Sequence, residues 1–153
     1  PRKGFVLKGV TEKEAAELYT VIGTLDGTAA QASCDTLTEK DLKRMEFYIQ
    51  SMDLAINTNN YEMYLEQQEL FHQVYIDQCE NEILSDTISR LRSKFFTRGY
   101  SKDRANKNEK LLSQINDEHR EILRLFKEKD KDGLFSYIVN VHWSPSNAHH
   151  ELL

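Results

Sequence analysis

Residues 60–79 read Asn60-Tyr61-Glu62-Met63-Tyr64-Leu65-Glu66-Gln67-Gln68-Glu69-Leu70-Phe71-His72-Gln73-Val74-Tyr75-Ile76-Asp77-Gln78-Cys79. Tyr61, Tyr64, Leu65, Gln68, His72, Tyr75 and Cys79 recur at steps of three and four, the repeat of one face of an α-helix and not the alternation of a strand. Neither Gly nor Pro interrupts the run. Two polar side chains, Gln68 and His72, stand in the inward stripe one turn apart. This stretch predicts a helix over Asn60–Gln78.

The helical period extends in both directions. Thr11 and Glu14 form a capping box that opens a helix over Thr11–Ser33. The run Thr36-Leu37-Thr38-Glu39 opens a second over Thr38–Asn57, whose apolar positions Leu42, Met45, Ile49, Met52 and Ile56 step by three and four. A further helix spans Asn81–Thr97, and Arg98-Gly99-Tyr100-Ser101 ends it before a polar loop reaching Asn108. The last two are Glu109–Lys129 and, after a turn at Asp130–Asp132, Gly133–His150, with Pro145 bending or breaking the final one. The chain has 6 Gly and 2 Pro in 153 residues, few enough for long helices. No strand pair or repeat follows residue 10. The expected fold is all-α, an antiparallel bundle of six or seven helices with mostly short connections. Pro1 to Val6 reads as a turn entering a short strand, the tail of an upstream domain, which leaves 11–153 as the helical domain.

Composition narrows the function. Hydrophobic residues are 39% and charged residues 29% of the chain, a globular balance. The net charge is −5 and no basic stretch tracks phosphates, so this segment is not expected to grip nucleic acid directly. No apolar run approaches the roughly 20 residues of a membrane span, and no signal peptide opens the chain. Cys34 and Cys79 lie far apart, outside any Cys-x-x-Cys pair, and are read as reduced core thiols of a cytoplasmic protein.

Three of the five histidines fall in apolar stripes. His72 does so on the third helix. His119 follows Leu111, Leu112 and Ile115 and precedes Ile122 and Phe126. His142 follows Leu134, Phe135, Ile138 and Val141. Three inward imidazoles on three helices suit Zn, Ni, Cu or Fe and leave a coordination position open. Against this stands the plainer reading, in which each is a core histidine bonded to a carbonyl or hydroxyl. His149 and His150 are adjacent beyond Pro145 and read as solvated tail. Glu69 and His72 form a Glu-x-x-His pair, but Asn116 and Val139 occupy the matching places before His119 and His142, which disfavours a two-metal oxidase. No phosphate-binding loop, nucleophile elbow or dinucleotide fingerprint occurs. The charged run at 127–132 lacks the glycine and terminal Glu of a calcium loop and reads as a solvated turn. The aromatics Tyr61, Tyr64, Phe71, Tyr75, Phe95 and Phe96 are read as core.

Phe71-His72, Cys79-Glu80-Asn81-Glu82-Ile83-Leu84, Asp117-Glu118-His119-Arg120-Glu121-Ile122-Leu123 and then His142 resemble, in order and spacing, the C-terminal effector domain (FCD) of bacterial GntR-family transcription regulators of the FadR-like subfamily. The resemblance covers nearly the whole chain from Thr11. It implies that residues 1–10 end a winged-helix domain and its linker. It also implies a divalent metal, commonly zinc or nickel, held by His72, His119 and His142, a small organic acid as effector, a homodimer, and operator DNA bound only through the upstream domain. Gln68 stands where the family places a metal-binding Asp, and would orient water or effector. Tyr64 and Arg92 are further candidate effector contacts, with core and surface respectively as their alternatives. On the first helix Asp26 takes the family's acidic position, and Ile22 stands where an Arg is usual. Two rival readings are a metal-dependent enzyme with a three-His site and a metal-free structural dimerisation bundle. The enzyme needs a general base, and no inward Asp or Glu is found one turn from the three histidines, with Glu69 facing away. The expectation is therefore a sensor and not an enzyme.

Overall fold

Thr11 begins the described helices as the spacing predicts: its hydroxyl accepts from the Glu14 N–H while Glu14 reaches back to the Thr11 N–H, and α1 runs Glu12–Ser33. The computed structural model describes residues 10–99 and 109–152. Thr38 and Asp41 form the second capping box and start α2, Glu39–Asn57. Asn60 caps α3, Tyr61–Asp77; α4 spans Glu82–Gly99 and α5 spans Glu109–Lys127. Of the four described short turns between neighbouring helices, three carry one non-glycine residue in the left-handed region: Asn59 at φ 53°, Glu80 at 54° and Lys129 at 56°. One such residue stops a helix and reverses the chain, so consecutive helices fold back on each other as an all-α bundle. No described residue lies in a strand, and no described helix is long and apolar enough to cross a membrane.

The last predicted helix differs in detail. Asp130 accepts from the Gly133 N–H, so α6 begins at Lys131 and runs to Tyr137, two residues earlier than expected. It continues as a π turn over Ile138–His142. A 3₁₀ segment, Pro145–Leu152, follows; Pro145 does break the helix, as its missing N–H requires. The π turn adds a residue to the coil and changes which side chains face inward. Val141, expected inside, is 38% exposed, while His142 stays buried.

Helix α1 is the central element, with α3, α4, α6, the π turn and the 3₁₀ segment against it, while α2 packs between α3 and α5. Ala15, Ile22, Ala29 and Ala30 from α1 meet Phe71, Tyr75, Phe126, Leu134 and Ile138 in the core. Gly23 makes the close approach possible: a Cβ there would lie 2.7 Å from Trp143 Cβ. Cys34 and Cys79 are buried free thiols. The expected strand in Pro1–Val6, the loop to Asn108 and the side chains of Phe95, Phe96, His149 and His150 lie outside the described residues.

Candidate metal and effector site

His72, His119 and His142 come from α3, α5 and the π turn, and each is buried. Their ring nitrogens meet: His72 Nε2 is 3.3 Å from His119 Nε2 and 3.1 Å from His142 Nε2. One ligand atom from each lies within 4.8 Å of the others. The opposite edge of each ring is engaged. His72 Nδ1 lies 3.0 Å from Asp26 Oδ2 and 2.5 Å from the Tyr75 hydroxyl. His142 Nδ1 lies 2.7 Å from Glu118 Oε2. His119 Nδ1 lies 3.3 Å from Asn116 Oδ1.

These partners fix the tautomers. The Asn116 amide donates to the Ile49 carbonyl at 3.0 Å and to Asp53 Oδ1 at 2.8 Å, so its oxygen faces His119 and must accept. The carboxylates of Asp26 and Glu118 also accept. Each Nδ1 therefore carries the proton, and the Nε2 lone pairs point at one another. Converging lone pairs repel unless a proton or cation lies between them. A tetrahedral zinc with bonds of about 2.0–2.1 Å keeps its nitrogen ligands about 3.3–3.4 Å apart, close to the two separations from His72. The donor set thus fits a borderline divalent ion, with outer partners that hold each imidazole.

Charge supports the same arrangement. Burial alone would raise the Asp26 carboxyl, but the opposing pull of His72, with help from Tyr75 and Arg92, brings it to about 2. Burial pushes His72 down to about 4 against the pull of Asp26. Burial, then the neighbouring His142 and His72, holds His119 well below the usual histidine range. His72 and His119 are thereby kept neutral, the form that binds metal.

No inward Asp or Glu was expected one turn from the histidines, yet two carboxylates, Asp26 and Glu118, reach them from elsewhere. Both reach a histidine on another element, which a search one turn along the same helix does not find. Asp26 also accepts from Trp143 Nε1 at 2.6 Å. A cavity of about 220 Å³ opens beside the cluster, lined by Gln68, Gln114, Glu118, His142, Trp143 and Asn147 among others. Gln68, at 9% exposed, therefore borders the opening next to His142. Tyr64 and Arg92 do not line this cavity. Tyr64 is buried, in line with its alternative as core, whereas Arg92, whose alternative was a surface place, is buried at 5% exposed on α4. Glu69 is exposed. Ile22 is fully buried on α1.

A family model of the FCD domain matches residues 17–140. The match begins in α1, takes in His72 and His119, and stops two residues short of His142. No curated protein and no solved structure matches the chain.

Proposed function

The chain belongs to the FCD domain family, the effector-binding C-terminal domains of GntR-type transcription regulators, and from that premise we propose that it senses a small organic acid at a divalent metal held by His72, His119 and His142. The observation that carries this reading is the facing Nε2 atoms of three buried histidines, each with its Nδ1 already engaged. Zinc or nickel suits an all-imidazole donor set. Such an ion supplies a Lewis-acidic pole for an oxygen of the effector. The residues of the chain do the remaining work. Asp26, Asn116 and Glu118 orient the imidazoles, and Gln68 offers a neutral amide where effector or water enters.

Signalling follows from where the partners sit. Asp26 belongs to α1, His72 to α3 and Trp143 to the segment after the π turn, so one buried carboxylate ties three elements together. An effector that favours one arrangement of this junction shifts the population of the whole domain. The reading includes a homodimer in the cytoplasm, with residues 1–10 leading from an upstream winged-helix domain that grips the operator.

For the dimer contact, the outer face of the α2–α3 hairpin is the supported surface. Phe47 and Leu54 on α2 are 61% and 65% exposed, and Met63 and Leu70 on α3 are 40% and 43% exposed. Each pair is spaced by two helical turns, and the two helices are joined by the Thr58–Asn60 turn. Exposed Lys40 and Lys43 lie on α2, and exposed Glu62, Glu66 and Glu69 on α3. A second copy that laid its α3 on this α2 would meet opposite charge around the apolar stripe.

Elemental mass spectrometry on untagged chain, with a His119→Ala variant beside it, tests the metal. The expected result is near-stoichiometric zinc or nickel that drops sharply in the variant. No metal in either, even after soaking, would reject the three-His centre.

A further inference from the structure

A chain of hydrogen bonds runs from the surface of α2 to the ring of His119. Asp53 Oδ1 accepts from Asn116 Nδ2 at 2.8 Å, and Asp53 Oδ2 takes the Arg120 guanidinium. Arg120 also donates to Asp117 Oδ1 at 2.7 Å, so two carboxylates hold it. Asn116 Oδ1 in turn lies 3.3 Å from His119 Nδ1. The inner end of the chain is closed to water, with Asn116 and His119 fully buried. The outer end is open: the side chains of Asp53 and Arg120 are 40% and 44% exposed.

An asparagine side chain presents its oxygen or its NH₂ to a neighbour with almost the same shape, and a neutral imidazole carries its one proton on either nitrogen. Asn116 and His119 therefore have two complete arrangements. In the first, Asn116 Oδ1 accepts from His119 Nδ1–H, and Nε2 keeps its lone pair. In the second, the amide is turned, Nδ2 donates to a bare Nδ1, and the proton sits on Nε2. From there it can be donated to His72 Nε2, 3.3 Å away. That arrangement relieves two converging lone pairs in the metal-free chain, and it takes away one of the three ligands.

The far side of Asn116 decides between them. The Ile49 carbonyl and the Asp53 carboxylate only accept, and together they take both N–H bonds of the amide, at 3.0 and 2.8 Å. A turned Asn116 would set its oxygen against both. Of the two, Asp53 is the charged acceptor, and a charge-assisted hydrogen bond is roughly twice as strong as a neutral one.

We propose that Asp53, steadied by Arg120, is a positioning residue of the metal centre: acting through Asn116, it holds the His119 proton on Nδ1 and leaves Nε2 free as a ligand. No proton is gained or lost, since one proton of a neutral ring is assigned to one of two nitrogens. The consequence for metal rests on the three-His reading above, whereas the place of the proton is a property of the metal-free chain.

The test uses the 153-residue chain. Nitrogen-15 NMR of the metal-free, histidine-labelled protein distinguishes a protonated ring nitrogen from a bare one, with His119→Ala identifying the signals. The parent is expected to carry the His119 proton on Nδ1, and Asp53→Leu to move part or all of it to Nε2. Zinc affinity, read by chelator competition, should fall at least about tenfold in Asp53→Leu. Arg120→Met should move both readouts the same way by less, because Asp53 still reaches Asn116. Asn116→Ala removes the middle of the relay, so adding Asp53→Leu to it should cost no further zinc affinity.

A folded Asp53→Leu chain with the proton still on Nδ1 and unchanged zinc affinity overturns the proposal, and so does a parent that carries the proton on Nε2. An equal loss of affinity from Asp53→Leu with and without Asn116 also overturns it, since that is what a clasp between α2 and α5 would give. Should Asn116→Ala fail to fold, the proton's place in Asp53→Leu decides alone, because loosening α2 from α5 does not choose between ring nitrogens. No zinc bound by the parent, with a His119 proton that still moves in Asp53→Leu, would reject the metal and keep the relay.

Discussion

The indole Nε1 of Trp143 donates to Oδ2 of Asp26 across 117 positions of sequence, at 2.6 Å. The bond fastens the segment just after His142 to the carboxylate that also faces His72 Nδ1 at 3.0 Å. Trp143→Phe keeps most of the ring and removes the donor. The loss of one buried hydrogen bond to a charged acceptor should cost about 1.5–3 kcal/mol in urea unfolding. If Asp26 is then free to turn, zinc affinity should fall about 10- to 100-fold in a chelator competition. Unchanged affinity with lowered stability would show that this bond serves packing alone.

Gly23 and Gly27 lie one turn apart on α1 but should respond differently to Ala. A Cβ on Gly23 meets the root of a side chain, Trp143 Cβ, at 2.7 Å, and neither partner can rotate away. On Gly27 the nearest atoms are side-chain tips of Phe135 and Val139 at 3.1 Å, which can yield slightly. Each substitution gains about 0.8–1.0 kcal/mol of helix propensity. Overpacking of about 1–3 kcal/mol outweighs it at Gly23. Gly23→Ala should therefore melt lower than the parent, and Gly27→Ala should stay close to it. The reverse order would contradict the tight approach of α1 to Trp143.

Glu118 faces His142 Nδ1 at 2.7 Å and borders the cavity. Glu118→Gln keeps an acceptor oxygen but removes the negative charge that makes the imidazole a better donor to a cation. Zinc affinity should fall roughly tenfold or more, while the melting point of the metal-free chain changes little because the side chain is partly exposed. A chelator titration reads the first and a thermal scan the second. A large loss of metal-free stability with affinity intact would mean that Glu118 holds the fold and not the ion.

The helices were legible because they are written locally: two capping boxes, uninterrupted runs and stripes at three-and-four spacing. The histidine cluster was legible because three imidazoles fell in those stripes. Its carboxylates also left a signal. Asp26 lies in the line Ala15, Tyr19, Ile22, Asp26, Ala29 and Ser33, all buried, and Glu118 lies between Ile115 and Ile122 at helical spacing. Asp26 was named only through the resemblance and Glu118 was given no role, because their histidine partners come from other helices, a relation no single-helix pattern contains. The π turn had no local mark at all. It arises where α6 must close on α1 and still turn His142 inward, which is a demand of tertiary packing. The early start of α6 was hidden because Asp130 was read as turn, when its carboxylate is the cap.

Thr38 and Asp41 cap each other at the start of α2: Asp41 accepts from the Thr38 N–H at 2.9 Å and from its hydroxyl at 2.7 Å. Those bonds to Thr38, the backbone one first, hold the Asp41 carboxyl below its ordinary value of 3.8. A carboxyl depressed in the fold contributes stability above its unfolded value and loses it as pH falls through the folded one. Thr38→Ala should cost about 1 kcal/mol at neutral pH, and the difference from the parent should shrink as the solution is taken below pH about 4. A difference that persists unchanged at low pH would show that the capping pair is not formed.

Leu54 and Met63 flank the α2–α3 turn, and Phe47 and Leu70 repeat the pair two turns further on. Four large exposed apolar side chains, in two pairs spaced by two turns on neighbouring helices, exceed the scattered single exposures expected of an ordinary surface. Buried against a copy, each would contribute on the order of 1.5–3 kcal/mol before the cost of association. Leu54→Glu places a charge in the middle of that stripe, and Phe47→Glu removes its largest member. Sedimentation at micromolar concentration should give a dimer for the parent and a monomer for the double variant, with the helical circular dichroism and zinc content of both alike. Because the face lies opposite the core side of α2, neither substitution touches Met45, Ile49 or Met52, which are buried. A double variant that stays dimeric would move the contact elsewhere on the bundle. Added salt supplies a second arm: if Lys40 and Lys43 meet the acidic α3 of a partner, the dimer should weaken between low and high ionic strength, as exposed ion pairs do. Indifference to salt would leave the apolar stripe as the contact and remove the charge pairing that aligns α2 with the partner's α3.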